Sequence, residues 1–195
     1  MSLVIGLHGA KGSGKDQFYK AAKAAFPQLQ IRKIAYADPI KDQVCRIFGF
    51  NSEEEYDDFK RTFVEYKLGG GFVRNIHGRQ VVREIGMMMR GYDENQFVKY
   101  VEKTILNDPT GIWCITDLRF DNELRSIKEN LNGLVIKIKR SGVEFDGHVT
   151  EQEFPDSVCS SVIRNIDLTL DQYNTLAAQE MANILQTIGV IKEST

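Results

Sequence analysis

The chain has 195 residues and little that could staple a fold from outside. Its three cysteines, Cys45, Cys114 and Cys159, are odd in number and far apart, and no CxxC occurs. That excludes a disulfide framework and argues against a zinc site. What remains is buried or half-buried thiols in a reducing cytoplasm. No apolar run approaches the roughly 20 residues that a membrane span needs. The opening stretch MSLVIGLHGAKGSGK has no basic lead and no small-residue cleavage site, so no secretory leader is expected. Charge of one sign is scarce too. Lys and Arg number 25 against 27 Asp and Glu, a formal charge of −2. A duplex-DNA binder usually shows a basic excess, so neither nucleic acid nor membrane is expected as a partner. Repeats and low-complexity tracts are also missing. The rest is ordinary globular material, 42% hydrophobic and 27% charged. Such a length suits one domain with insertions, burying about 70% of its unfolded surface.

Strand-like and helix-like segments alternate. Leu3 to His8 is short, apolar and β-branched, and it runs into a Gly-rich turn. From Lys15 the apolar residues Phe18, Ala22, Ala25 and Phe26 fall at helical spacing, and Pro27 stops that helix. Ile31 to Tyr36 reads as a second strand. Asp38-Pro39 reads as an N-cap with proline at the first helical position, opening a helix that ends near Gly49. Five of the six residues Glu53 to Asp58 are acidic, which fits a solvated helix face. Gly69 to Gly71 and Asn75 to Gly78 read as loop. A helical pattern resumes near Gln80, with Val82, Ile85 and Met89 on one face and Arg83, Met87 and Arg90 on the other. Another helix covers about Glu94 to Leu106. Ile112 to Thr116 and Leu134 to Ile138 read as strands three and four, with a helix Arg119 to Asn130 between them. The fifth strand is expected over Val162 to Leu168. A last helix starts near Asp171 and buries Ala177, Met181, Ile184, Leu185 and Ile188. Five strands interleaved with helices imply an α/β fold, a parallel sheet covered on both faces.

Gly9-Ala10-Lys11-Gly12-Ser13-Gly14-Lys15 fits G-x-x-x-x-G-K. Glycines let successive backbone N–H groups point into one concavity and hold phosphate oxygens. The following helix adds its positive dipole end, and Lys15 adds a point charge. The match stands directly after an apolar strand and directly before a helical pattern, as the chemistry requires. Gly9, Lys11, Gly12, Ser13, Gly14 and Lys15 are therefore the candidate ATP-phosphate loop. Residue 16 is Asp, where Ser or Thr usually supplies a hydroxyl to Mg²⁺. A carboxylate can serve that ion directly or through water. The alternative is that Asp16 only charges the helix start.

A phosphate loop says only nucleotide. A phosphorylated acceptor would need further cations, because transfer brings two anionic groups together. Lys41 lies in the first turns of the helix after Asp38-Pro39. Arg83 and Arg90 are seven residues apart on one helix face. Asp117 and Arg119 follow the third strand, at the carboxyl edge where open α/β sheets bind ligands. There Asp117 could hold a metal shell or the acceptor, and Arg119 could grip phosphate with its planar fork. His148 and Glu151 sit in a polar stretch. Locally, Thr150 and Glu153 have capping-box spacing, which offers the blander reading.

GAKGSGKD, YADPIK at Tyr36 to Lys41, TDLRFDNE at Thr116 to Glu123, VIKIKR ending in Arg140, HVTE at His148 to Glu151 and a late Asn165 occur in that order. This order resembles the deoxynucleoside monophosphate kinases of tailed bacteriophages. The G-K-D loop is shared with the animal-type phosphomevalonate kinases. The resemblance covers about residues 1–49 and 110–190, and the middle mainly at Arg83. Where that family carries Gln and Gly-Thr shortly after the arginine, this chain has Gly86-Met87-Met88-Met89-Arg90. The resemblance implies a P-loop nucleoside monophosphate kinase-like fold over 1–195, with strand order 2-3-1-4-5. It implies an acceptor-binding insertion at about 50–107 and a lid at about 141–161. It implies transfer of the ATP γ-phosphoryl group to a dNMP with Mg²⁺, in the cytoplasm. Gly12, Gly14 and Lys15 would then hold ATP phosphates, with Asp16 by the metal. Lys41, Arg83 and Arg119 would hold the acceptor phosphate. Arg140 would cover ATP, and Asn165 would stand near the adenine.

Rival readings are a phosphomevalonate or dephospho-coenzyme A type of kinase, a nucleotide-binding NTPase or regulator, and a partner protein with a vestigial loop. The sequence leaves open which bases are accepted and whether the chain forms a homodimer.

Overall fold

A computed structural model describes residues 2–67, 69–71, 73–145, 147 and 152–191. The chain divides into two compact units, Met1–Ala35 with Val101–Thr195, and Tyr36–Tyr100.

The first unit is built on a five-stranded sheet. Its strands are β1 (Leu3–His8), β2 (Ile31–Ile34), β5 (Ile112–Leu118), β6 (Leu134–Arg140) and β7 (Ser161–Asn165). All neighbours pair in parallel. The spatial order is β2-β5-β1-β6-β7. Numbered within this sheet alone the strands run 2-3-1-4-5; numbered along the whole chain they run 2-5-1-6-7, because the other unit supplies two strands, β3 and β4, that were not foreseen. Helices α1 (Lys15–Ala25) and α7 (Leu170–Thr187) cover one face. There Ile5, Leu7, Ile136, Ile138 and Ile163 pack against Phe18, Ala22, Ala177, Met181 and Leu185. The other face meets α6 (Asp121–Arg125) and the π-helical turn Ser126–Asn130, whose Ile127 lies over Gly6. Helix α5 (Gln96–Asn107) joins this layer where Glu102 accepts hydrogen bonds from Ser126 (2.6 Å) and Asn130 (2.7 Å). Burial on both faces explains why the three central strands β1, β5 and β6 read as apolar runs, while the edge strands β2 and β7 carry exposed Lys33 and Arg164.

Several boundaries differ from the sequence reading, and β5 and β6 each run past the expected ends at Thr116 and Ile138, which places Asp117 inside β5. Strand β2 stops at Ile34, short of Tyr36. Strand β7 ends at Asn165 because Ile166 is exposed and Asp167 turns with φ 53°. The helix expected from Arg119 starts at Asp121 and widens into the π-helical turn at Ser126. Thr169 caps α7 through a reciprocal pair with Gln172, and Ile188 beyond its end is 43% exposed rather than buried.

The second unit holds α2 (Asp38–Phe48), α3 (Glu53–Arg61), the hairpin strands β3 (Phe63–Lys67) and β4 (Val73–His77), and α4 (Gly78–Tyr92). Asp38 lies inside α2 rather than capping it, and Ala37 takes the cap position. Ser52 caps α3, accepting from the Glu55 N–H at 3.1 Å. Its acidic first turn and basic last turn complement the helix dipole. The segment read as loop at Asn75 to Gly78 is the end of β4 and the first residue of α4. It pairs antiparallel with β3, Glu65 opposite Asn75. Phe48, Phe50 and Phe59 form an aromatic cluster at centroid distances of 4.8 to 5.7 Å.

The thiols are free: Cys114 is buried, and Cys45 and Cys159 are half-buried. Among the described residues no helix is long and apolar enough to cross a membrane.

Candidate active site

The loop after β1 is shaped by glycines at positions that no other residue would fill. Gly9 has φ 150°, and a Cβ there would stand 2.4 Å from the Ile138 carbonyl oxygen. Gly14 caps α1 with φ 114°, and a Cβ there would meet the Tyr173 hydroxyl at 2.9 Å. That hydroxyl donates to the Gly14 carbonyl at 3.0 Å, so α7 braces the start of α1. Lys15 folds back over the loop and donates to the carbonyls of Gly9 (2.6 Å) and Ala10 (2.8 Å). Lys11 and Gly12 are exposed at the crown. Ser13 is buried, and its Oγ has no hydrogen-bond partner among the described residues.

Strand order puts two other strand ends beside this loop. On one side β5 carries Asp117, and Arg119 directly follows its last residue; both are half-buried. From Gly6 to His8, β1 advances two residues while β5 advances three, from Ile115 to Leu118. This bulge falls at Thr116 and Asp117, and bulges commonly re-aim a side chain beside a site. The buried Glu123 carboxylate accepts from the Arg119 N–H (2.8 Å) and the Phe120 N–H (3.1 Å). It thereby fixes the turn that carries Arg119. On the other side, the Arg140 guanidinium donates to the Gly12 carbonyl at 3.0 Å. Arg140 and Asn165 face each other across β6 and β7. The Asn165 amide donates to the Ser13 carbonyl at 3.2 Å. The structure therefore gathers Gly9 to Lys15, Arg140 and Asn165 in direct contact.

A cavity of about 470 Å³ opens beside the loop, lined among others by Ala10, Ser13, Lys139, Arg140, Phe145 and Glu153. Its far wall belongs to the segment returning to β7, which two groups hold. Lys137, on β6 and 2% exposed, donates to the Glu153 carboxylate (2.7 Å) and the Phe154 carbonyl, and pairs with Asp156 at 3.0 Å. Burial opposes its charge, yet hydrogen bonds to Glu153 and Asp156 more than offset this, and its pKa is raised. Lys139 and then Lys137 hold the Asp156 carboxyl below its usual range. His8 is the second anchor, since its ring accepts from the Phe154 N–H at 3.1 Å. Burial first of all pushes the imidazole down to about 4. None of these anchors was found from the sequence. The readable signals were a histidine closing an apolar strand and a lysine inside VIKIK.

Asp16 stands exposed in the first turn of α1, and Lys33 of β2 donates to it at 2.6 Å. Among the described residues no three His, Cys, Asp or Glu side chains converge on a metal position. Mg²⁺ on nucleotide phosphates asks for only one or two carboxylates beside water and phosphate oxygens. An exposed carboxylate next to the loop, with a buried hydroxyl lacking a partner, fits that demand.

The remaining cations lie in the other unit. Lys41 pairs with Glu53 and stands 5.7 Å from the Tyr56 ring centre. Arg83 is half-buried on α4. Arg90 packs over the Phe97 ring at 4.6 Å. Met87, expected on the same face as the two arginines, is 40% exposed. His148, Thr150 and Glu151 lie outside the described residues.

No protein-family model and no curated protein sequence matches the chain. Among solved structures, it is similar to a protein from Chloroflexus aurantiacus described as a "putative kinase". The two share 13% identity over 93% of this chain and 97% of the other, with a TM-score of 0.42. A likeness of that size carries no functional inference.

Proposed function

We propose that this chain is an ATP-dependent phosphotransferase whose acceptor is a deoxynucleoside monophosphate, giving dNDP and ADP. One observation carries the reading: the Gly9 to Lys15 loop lies between β1 and α1, flanked by the ends of β5 and β6 with their arginines. The ordered motifs from GAKGSGKD to Asn165 supply the acceptor class. Backbone N–H groups of the loop and the start of α1 would take the donor phosphates. Ser13 Oγ is a buried donor still lacking an acceptor. Lys15 would exchange its two carbonyl partners for phosphate oxygens. Arg140 and Asn165 would keep the loop in shape and serve the nucleoside side of ATP. Arg119, steadied by Glu123, would grip the acceptor phosphate. Lys41, Arg83 and Arg90 are the acceptor-phosphate candidates of the Tyr36–Tyr100 unit. Bound Mg²⁺, with Asp16 as its protein carboxylate, would neutralise charge on the phosphates. An acceptor phosphate oxygen forms the new P–O bond. The bond from the γ-phosphorus to the β,γ-bridging oxygen breaks, and ADP leaves with the electron pair. The chain's own work is positioning and charge compensation, and no covalent enzyme intermediate is required.

The test is ADP release across an acceptor panel: dAMP, dGMP, dCMP, dTMP, hydroxymethyl-dCMP and the ribonucleotides. At least one dNMP should stimulate release, and Lys15→Ala should abolish most of it with the fold intact. Release that ignores every nucleotide acceptor would favour an NTPase. Stimulation by phosphomevalonate or dephospho-coenzyme A alone would move the acceptor class.

A further inference from the structure

His8 is the last residue of β1 and stands one position before the loop. It is 1% exposed and has aromatic neighbours, Phe145 at 5.3 Å and Phe154 at 4.4 Å between ring centres. Both ring nitrogens are engaged. The Phe154 N–H donates to Nε2 at 3.1 Å, so Nε2 is bare. The proton therefore sits on Nδ1, which donates to the Leu118 carbonyl at 3.1 Å. Both contacts require a neutral ring with this one tautomer. Leu118 closes the β5 bulge and directly precedes Arg119. Phe154 directly follows Glu153, which lines the cavity beside the loop. The charged groups facing the ring are Lys137 from β6, Lys15 from α1 and Glu153 from the returning segment.

The geometry points to His8 as a positioning residue that registers the two flanks of the loop. Nδ1 holds the strand end that carries Arg119, and Nε2 holds the cavity wall that begins at Glu153. Its kinetic half rests on the kinase reading above. The ring touches neither substrate. It acts by keeping Arg119 and Glu153 at fixed distance from Gly9, the residue covalently next to it. Displacements of about 1 Å at such groups cost on the order of a hundredfold in rate, so a clamp of this kind has kinetic consequences.

Two substitutions divide the clamp. An Asn amide nitrogen stands near the place of Nδ1, and a Gln amide oxygen near the place of Nε2. His8→Asn keeps the Leu118 link and loses the Phe154 link, and His8→Gln does the reverse. His8→Asn should raise KM for ATP about tenfold and leave KM for the dNMP within about twofold. His8→Gln should show the opposite split. Equal changes in both constants, or a lower melting temperature with both constants unchanged, would overturn the assignment. Amide hydrogen exchange judges the clamp without activity. The Phe154 N–H should exchange at least about tenfold faster in His8→Asn and keep its protection in His8→Gln. Unchanged protection in His8→Asn overturns the clamp. If no acceptor stimulates the wild type, the kinase reading fails, while the exchange pattern still decides the clamp. If neither variant folds, imidazole ¹⁵N spectra of the wild type decide it. Nδ1 protonated and Nε2 bare from pH 8 to pH 5 is expected, and the opposite tautomer or a titration near the free value overturns it.

Discussion

Acidification should weaken the sheet-bearing unit through His8. The folded imidazole titrates at about 4, against 6.5 for a free histidine, chiefly because burial disfavours its charged form. Above pH 6.5 both states are neutral and the group contributes no pH dependence. Between 6.5 and 4 the unfolded chain binds a proton that the folded chain refuses. Stability therefore falls as pH falls through this window. At about 1.4 kcal/mol per pH unit, the full difference is roughly 3 kcal/mol. Of this, roughly 2 kcal/mol appears between pH 7 and pH 5. That range lies above the depressed carboxyls of Asp57, Asp108 and Asp156. The assay is urea unfolding followed by the fluorescence of Trp113, the single tryptophan, buried in β5 opposite Val4 of β1. With a slope of about 2 kcal/mol per molar, the wild-type midpoint should drop about 1 M further than that of His8→Asn. The other two histidines are common to both proteins and cancel in the difference. Parallel decline of the two proteins from pH 7 to pH 5 would refute the reasoning.

Lys137→Met keeps the length of the buried stem but strips Glu153, Phe154 and Asp156 of one donor. The carboxylates are half-exposed and can take up water, so the expected loss is about 2–3 kcal/mol, a melting temperature lower by about 5–10 °C; an unchanged midpoint in calorimetry would mean that the anchor is not stabilising. Arg119→Lys replaces a bidentate fork by a point charge and should raise KM for the dNMP roughly tenfold, with KM for ATP within about twofold. Equal effects in steady-state assays would place Arg119 on the donor side or in the fold. If Asp16 serves Mg²⁺, Asp16→Asn should raise the half-saturating Mg²⁺ concentration, and part of the lost rate should return at high Mg²⁺. Lys33 competes for that carboxylate in an exposed pair worth at most about 1 kcal/mol, so Lys33→Met should lower half-saturation by up to about fivefold. Superimposable Mg²⁺ titrations for the wild type and both variants would remove the metal role from Asp16.

The parts of this fold that were legible are those whose cause is local. Parallel strands covered on both faces are apolar nearly throughout, and Leu3 to His8, Ile112 to Thr116 and Leu134 to Ile138 announce β1, β5 and β6 that way, short of the polar ends of β5 and β6. The Gly9 to Lys15 loop is a local pattern too, because its glycines answer to backbone conformation and to neighbours that crowd them. The hairpin Phe63–Lys67 with Val73–His77 was missed for the converse reason. Its faces are largely exposed, so no buried stripe marks the strands, and glycines between them read as loop. The anchors of the site were illegible because their partners are remote. His8 finds one partner 110 residues away and another 146 residues away. No spacing rule reaches that far.

Yet one non-local feature did leave a trace that physics can read. In VIKIK the residues Val135, Ile136 and Ile138 are fully buried, and Lys137 lies between them at 2% exposure. An ammonium group cannot be carried into such a strand unpaired, since the cost of its desolvation exceeds any single contact. A lysine within an apolar parallel strand therefore implies carboxylates brought to it from elsewhere in the chain. Two acidic residues, Glu153 and Asp156, stand just before the next strand, on the connection that must pass the end of β6 to reach β7. The pairing follows from topology once the strand is recognised. It also explains why this connection keeps one wall of the cavity in place: the charge that β6 cannot bury alone is the charge that holds the returning segment against the loop.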